Sequence, residues 1–437
     1  MVTREENDLL TRVEGAAPMG QVMRRHWLPA CMSEEVVEPD GAPVRTRLLG
    51  EDLVVFRDSR LRLGALGEHC PHRQASLAFG RNEDCGLRCL YHGWKFDVEG
   101  NVVDMACEPE GGRLKVQRKH KSYPVREGGG FVWVYMGLPE TMREFEPPAW
   151  APTPYGRISI VKIHTACNWA QVLEGSIDSA HSSSLHSTEM PSMQVDGAKA
   201  TEENWPRPST DKAPRMKFQL TSFGFRYAAI RTPIVNAGSH DYVRVTLFLA
   251  PFTVIIPPND QYKLAQMLVP IDDVNTMFYW IAWHETKGID QENWRKFCGA
   301  QVGIDLDANY RKIRNLENRF LQDRQAMKLG DFTGIHGIPA QDMAMWESMG
   351  PIADRGADNL GASDIAVIQF RRQMIAAART MQEGGAAIGT TEPHIPHAKL
   401  ASFEGIVPKT TDWRTLGVSA DERAAASGSE TLIPAPS

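Results

Sequence analysis

Between positions 44 and 139 the apolar residues come in short runs, such as Val54-Val55-Phe56, the stretch 61–66, and Phe131-Val132-Trp133-Val134-Tyr135 after Gly130. Turn formers separate them, as in Asp97-Val98-Glu99-Gly100-Asn101. Short β-branched and aromatic runs with this punctuation predict a small all-β domain. The Pro-rich stretch 140–153, with Glu146-Pro147-Pro148-Ala149-Trp150-Ala151-Pro152, reads as a linker. Beyond it the pattern predicts strands over 218–229, 242–256 and 276–283, and helices over 315–328 and 363–382, the latter capped by Ser363. Strands with long helices packed on them make an α+β chain. The expected plan is an N-terminal segment and β domain over 1–139, the linker, and a larger domain over 154–415. A poorly ordered tail rich in Ala, Ser, Glu and Pro fills 416–437. No internal repeat is visible.

Residues 168–181 have helical periodicity. At about 100° per residue, Trp169, Leu173, Ile177 and Ala180 share an apolar face, and Gln171, Glu174, Asp178 and His181 fall within about 80° on the other side, next to Asn168. A solvated polar face is the plain explanation. A continuous helix would hold His181 and His186 about 140° apart, so they converge only if it ends or bends between them. The intervening Ser182-Ser183-Ser184 allows that, because serine competes for backbone hydrogen bonds. Two converging imidazoles plus one carboxylate would make a mononuclear Fe(II) site with positions open to O2 and substrate.

A second ligand set lies upstream. Cys70-Pro71-His72 and Cys89-Leu90-Tyr91-His92 are separated by sixteen residues. Zinc sites favour Cys-Cys and His-His units. Here each unit is mixed, which suits a [2Fe–2S] cluster with two Cys on one iron and two His on the other. Gly93-Trp94 after the second unit offers an aromatic shield. A zinc site remains the alternative.

Composition narrows the partners. The chain has 437 residues and a formal net charge of −6, which supplies no basic surface for nucleic acid. Its most apolar stretch, 245–256, is interrupted by Pro251 and is too short to span a bilayer. The start is charged and carries no signal-peptide pattern. Apart from the two cluster candidates, Cys31, Cys85, Cys107, Cys167 and Cys298 are scattered and read as reduced thiols of a cytoplasmic protein. No G-x-G-x-x-G is present, so electrons from NADH are expected through a separate protein. Alternating residues put Arg244 on one face of its strand with Tyr242, Thr246 and Phe248, as a cavity wall or as a solvated face.

The two Cys/His units, together with Asn168-Trp169-x-Gln171-x2-Glu174-x3-Asp178-x2-His181-x4-His186, resemble the Rieske non-haem iron oxygenases. Within them the chain is most similar to members acting on phthalate. The likeness runs on through Phe332-Thr333-Gly334-Ile335, Gln341-Asp342 and Trp346-Glu347-Ser348-Met349-Gly350-Pro351. It implies a helix-grip catalytic domain, a Rieske cluster on Cys70, His72, Cys89 and His92, and mononuclear Fe(II) on His181, His186 and Asp342. From the residues alone, Glu347 or Asp331 would serve as well as Asp342. The resemblance further implies Asp178 as the link between one subunit's iron and His92 of the next, in a trimer or stacked trimers. Asp178 and Asn168 are thus the candidate catalytic residues, and Arg207, Arg244 and Ser179 the candidate substrate contacts. The implied activity is cis-dihydroxylation of an aromatic dicarboxylate, with O2 and a flavin/iron–sulfur reductase. The alternative is monooxygenation or O-demethylation of a phenoxybenzoate- or isophthalate-like acid.

Overall fold

The computed structural model describes residues 2–109, 119–151, 153–195, 205–258, 261–392 and 395–417. From 418 on, the expected tail lies outside the described residues. Two helices open the chain, α1 (Arg4–Thr11) and α2 (Pro18–Arg24). The β domain follows with β1 (Trp27–Met32), β2 (Val44–Leu48), β3 (Glu51–Arg57), β4 (Leu63–Gly67), β5 (Arg81–Glu83) and β6 (Gly86–Arg88). It continues with β7 (Trp94–Phe96), β8 (Val102–Met105), β9 (Ser122–Tyr123), β10 (Val125–Gly128) and β11 (Phe131–Tyr135). These form sheets in the orders β1-β11-β10, β2-β3-β4-β9 and β5-β6-β7-β8. Val54, Phe56, Leu66, Leu87, Trp94 and Phe96 make a separate small core beneath Cys70 and Cys89. The Pro-rich linker is packed rather than free, with Trp150 fully buried and its indole N–H donated to the Gly129 carbonyl at 2.9 Å.

The second half is built on one antiparallel sheet. Its strands are β12 (Ile158–Thr165), β13 (Arg215–Thr221), β14 (Gly224–Arg231), β15 (His240–Leu249), β16 (Thr253–Ile256), β17 (Lys263–Pro270) and β18 (Thr276–Trp283). The late strand β19 (Phe403–Pro408) pairs with β15. In order β12-β18-β17-β16-β15-β14-β13, the sheet packs its middle against α3 (Trp169–Ser176). The remaining helices are α4 (Gln291–Phe297), α5 (Arg324–Lys328), α6 (Ile338–Ser348), which lies on α3, and α7 (Ile365–Gln382), which lies on α1 and α2. The architecture is α+β, as expected.

Several element boundaries differ from the pattern. The expected strand 218–229 is a hairpin of β13 and β14 that turns before Gly224, where a Cβ would meet the Phe248 carbonyl oxygen at 2.1 Å. The stretch 242–256 breaks at Pro251, which has no N–H for the ladder. The helix expected over 315–328 does not form. Asn315 Oδ1 accepts from the N–H of Glu317 at 3.0 Å, and Asn318 Oδ1 accepts from that of Asn315 at 3.0 Å. These side chains take backbone donors a helix would use, and Arg319, Phe320 and Leu321 all have positive φ. Only α5 remains, started by Asp323, whose carboxylate accepts from the N–H groups of Gln325 and Ala326. Ser363 does not cap α7. A turn of 3-10 helix over Ala362–Asp364 precedes it, and the Asp364 carboxylate accepts from Gly361 N–H.

Candidate metal centres and substrate cavity

The two Cys/His loops have the same backbone geometry. Cys70 donates its N–H to the Ala75 carbonyl and accepts from Gln74 N–H, both at 2.9 Å. Cys89 does the same with the Trp94 carbonyl at 2.8 Å and Gly93 N–H at 3.0 Å. Gln74 and Gly93, both with positive φ, close the matching turns. Arg88 fixes the second loop through the Gly93 carbonyl at 2.8 Å. Cys70 and Cys89 are buried, the His72 and His92 rings stand 4.4 Å apart, and Trp94 stacks on His72 at 5.0 Å. Buried His92 Nδ1 has no hydrogen-bond partner.

These features test what the set can hold. Donors of a single zinc lie within about 4.6 Å of one another, because Zn–S and Zn–N bonds are about 2.0–2.3 Å. No three of Cys70, His72, Cys89 and His92 offer donor atoms within 4.8 Å of one another. The arrangement fits a wider body, a two-iron cluster with thiolates at one end and imidazoles at the other. Cys85 is not part of it. It sits with Asp84 in the positive-φ turn between β5 and β6.

The mononuclear site is built around the end of α3. Asn168 caps this helix, its Oδ1 accepting from Ala170 N–H at 3.0 Å and its Nδ2 donating to the carbonyls of Thr11 and Asp273. The Asn168 amide is therefore fully engaged at the cap, away from the cavity. The helix stops at Ser176, earlier than the periodicity suggests. Asp178 then accepts from Ala180 N–H at 2.7 Å, forming a side-chain turn that competes with further helix. The expected shared polar face is consequently split. Gln171 bonds the carbonyls of Trp346 and Gly350, and Glu174 sits between the buried guanidiniums of Arg355 and Arg371 at 2.7 and 2.8 Å. Asp178 and His181 go on to the site.

With the helix ended, the two histidines converge. His181 Nε2 and His186 Nε2 are 3.2 Å apart, and Asp342 Oδ1 lies 3.4 Å from the first and 3.0 Å from the second. Donors about 2.1 Å from a metal are about 3.0 Å apart at right angles and about 3.4 Å in a tetrahedron, so one ion fits all three. Asp342 Oδ1 is buried and has no hydrogen-bond partner, a further sign that a cation belongs there. Burial opposes a charge on His181, but the carboxylates of Asp178 and Asp342 outweigh it and push its pKa up to about 10. Burial likewise works against Asp342, and the two imidazoles bring it down to about 2. Asp178 Oδ2 stands 3.4 Å from His181 Nδ1, on the edge away from the donors. Of the three carboxylates open in the sequence, Asp342 alone meets the histidines. Glu347 pairs with Lys312 at 2.7 Å, and Asp331 accepts from Thr333 N–H at 2.9 Å.

Close packing places Asp342. At Gly175 in α3 an added Cβ would lie 2.0 Å from Trp346 Nε1 of α6. Only glycine lets the helices approach this closely, which carries Asp342 to the histidines.

A cavity opens from the three donors. Its sheet wall is one face of β14–β18. Tyr227 pairs across with Thr246, and Gln266 with Trp280; Arg244 lies beside Thr246 on the same face. Arg244 therefore faces a cavity rather than solvent. Its buried Nε makes no hydrogen bond but is ion-paired with Glu404 of β19 at 3.8 Å. Arg207 lies behind the wall, donating to Ser182 Oγ at 2.9 Å and to the Ser182 carbonyl at 3.0 Å. Burial and neighbouring Arg244 push Arg207 down to about 10. Ser179 lines the cavity, and its carbonyl accepts from Arg231 at 2.6 Å. Arg231, Gln266 and Glu404 carry no motif signal, because what joins them to the site is strand register and packing; Gln341 stands in a segment of the resemblance, but its place behind His186 does not show there. A larger cleft of about 930 Å³, lined by His26, Arg143, Trp150 and His397, contains none of the metal donors.

Comparison with known proteins agrees with this geometry. Residues 26–124 match the profile of the Rieske [2Fe-2S] domain, and residues 134–433 that of the LigXa C-terminal domain like family. The chain is 60% identical over 415 residues to the phthalate 4,5-dioxygenase oxygenase subunit of Pseudomonas putida, covering 95% of this chain and 94% of that one. It is 36% identical to the 3-chlorobenzoate-3,4-dioxygenase oxygenase subunit of Comamonas testosteroni, covering 95% and 98%. Among solved structures, the caffeine-bound NdmA QL mutant of Pseudomonas putida CBB5 shares the fold with a TM-score of 0.59 at 18% identity, covering 84% of this chain and 93% of that one.

Proposed function

The chain belongs to the Rieske non-haem iron oxygenases, as an oxygenase subunit with a [2Fe–2S] cluster and a mononuclear iron, and from that premise we propose that it cis-dihydroxylates an aromatic dicarboxylate, phthalate, at the 4,5 positions. The observation that carries the substrate class is Arg244, a buried guanidinium on the wall of the cavity that ends at His181, His186 and Asp342; its Nε makes no hydrogen bond and has Glu404 as an ion-pair partner at 3.8 Å. Arg207 and Arg231 stand behind it, and Glu404 is the buried carboxylate facing the group. Buried cations in excess favour an anion.

When bound, the iron supplies O2 activation, and the cluster supplies electrons one at a time. The protein's own contribution is positional. Arg244 takes one substrate carboxylate, with Ser179 on the cavity wall next to hand for the other; Arg207, held on Ser182 behind the wall, adds positive charge and not the direct contact expected of it. Trp205, Trp280 and Trp346 wall the ring and exclude water. Asp178 accepts from His181 Nδ1–H and leaves Nε2 free for the metal. We assign the second contact of Asp178 to His92 of a neighbouring copy, in a trimer or stacked trimers. Exposed Leu90 and Tyr91 beside His92 support that assembly. Electrons would come from an NADH-dependent flavin/iron–sulfur reductase in the cytoplasm.

The test is O2 uptake with reductase, NADH and each of the three benzenedicarboxylate isomers, with labelled O2 followed into product. Uptake with phthalate and two labelled atoms in a dihydrodiol is expected. Silence with all three isomers removes the substrate assignment. A single labelled atom would favour the monooxygenase or O-demethylase reading.

A further inference from the structure

We propose that Gln341 is a positioning residue that sets the tautomer and orientation of the His186 imidazole, and that Glu189 and the Ile335 carbonyl together make its own orientation single-valued. Gln341 and Asp342 are consecutive on α6 and hold His186 by opposite edges. Asp342 Oδ1 lies 3.0 Å from His186 Nε2, and Gln341 Oε1 lies 2.7 Å from His186 Nδ1. Gln341 is fully buried, so solvent cannot substitute for either partner.

The direction of the second bond follows from the rest of the amide. Gln341 Nε2 faces three acceptors: Glu189 Oε1 at 2.7 Å, the Ile335 carbonyl at 2.8 Å and Thr333 Oγ1 at 3.1 Å. A flipped amide would set its oxygen against a carboxylate and a carbonyl, neither of which can donate. The –NH2 must therefore point at Glu189 and Ile335, and the oxygen at His186. An amide oxygen only accepts, so His186 Nδ1 carries the proton and Nε2 presents its lone pair beside Asp342 and His181 Nε2. His181 is held from its far edge by a carboxylate, Asp178, and His186 by a neutral amide. The two imidazoles are thus oriented by groups of different charge. Thr333 is itself fixed, donating to the Ile335 carbonyl at 3.1 Å and accepting from Ile335 N–H at 3.0 Å. The anchor is therefore rigid.

The inference concerns metal affinity and does not depend on which substrate is used. The test is a Co(II) titration of protein stripped of mononuclear iron but retaining its cluster, read by cobalt d–d absorption, with cluster absorption and thermal midpoint followed alongside. Gln341→Leu keeps the bulk and removes the acceptor. It should weaken Co(II) binding about 10- to 100-fold, the usual effect of losing the partner of a ligating histidine, with the cluster spectrum unchanged. Gln341→Met likewise removes the acceptor with an unbranched side chain of similar length, and should weaken binding to a similar extent with the cluster spectrum unchanged. Co(II) affinity within twofold of wild type in folded Gln341→Leu would overturn the proposal. Should that variant fail to fold, Gln341→Met decides, and wild-type affinity there overturns it equally.

Discussion

Replacing Gly175 by alanine sets two effects of opposite sign against each other. In an open helix the change would be favourable by about 1 kcal/mol, since alanine loses less backbone entropy than glycine. Here the new Cβ would lie 2.0 Å from Trp346 Nε1, 2.5 Å from Cε2 and 2.7 Å from Cζ2. Ordinary contact between such atoms is about 3.5–4.0 Å, so α3 and α6 must part by about 1.5 Å. Overpacking of this kind costs about 1–3 kcal/mol, enough to cancel or exceed the helix gain. The metal site is less tolerant than the fold. Ligand distances hold to within about 0.2 Å, and Trp346 lies one turn along α6 from Asp342, so even a fraction of the shift pulls Asp342 off the ion. Gly175→Ala should fold, keep its red-brown cluster and lose the mononuclear iron. Metal analysis should then find roughly two irons per chain, those of the cluster, in place of three. Full occupancy and wild-type Co(II) affinity in this variant would refute the idea that close packing of α3 on α6 delivers Asp342.

Three further outcomes follow from the same geometry. Glu174→Gln leaves the buried Arg355 and Arg371 without their shared carboxylate and should destabilise the fold by about 3–5 kcal/mol in urea unfolding; a loss under 1 kcal/mol would show that the pair is not coupled. His181→Ala should keep the cluster absorption and abolish substrate-dependent O2 uptake, and retained uptake would remove His181 from the site. Burial pushes His26 down to about 4, against the hydrogen bond it donates to the Ile388 backbone. Its unfolded form therefore binds a proton near pH 6.5 while the folded form does not. The stability it contributes is present above that pH and lost as pH falls toward 4, at up to about 1.4 kcal/mol per unit. His26→Gln should flatten this acid limb of the thermal midpoint, and a wild-type gap constant across pH 4–7 would refute it.

How far the site was legible depended on distance along the chain. Cys70, His72, Cys89 and His92 could be read from spacing because each pair occupies one turn, and local backbone geometry is a local property. His181 and His186 were nearly as readable, although their convergence required the helix to stop. It stops at Ser176, where the Asp178 side-chain turn takes over. The polar residues of the 168–181 pattern looked equivalent on a helical wheel, yet Gln171 and Glu174 are buried structural partners of distant loops. Periodicity reports which side of a helix is polar and says nothing about what packs there. The failed helix at 315–328 has the same origin, since asparagine side chains outcompeted a pattern that counted only apolar positions.

By itself, then, the chain of residues determined the α+β class and pointed to the ligand types of both candidate centres and to His181 and His186 as candidate iron ligands. Residue patterns left Asp342, Glu347 and Asp331 open, with only the family resemblance favouring Asp342; tertiary structure brought Asp342 to the histidines, turned Arg244 toward a cavity, and placed Gln341 behind His186. The physical reason is that none of these is local: Asp342 and Gln341 reach the histidines across more than 150 residues through the approach of α6 to α3 at Gly175, and the face Arg244 presents is set by strand register on β14–β18. A single missing side chain made that approach close enough for a third ligand.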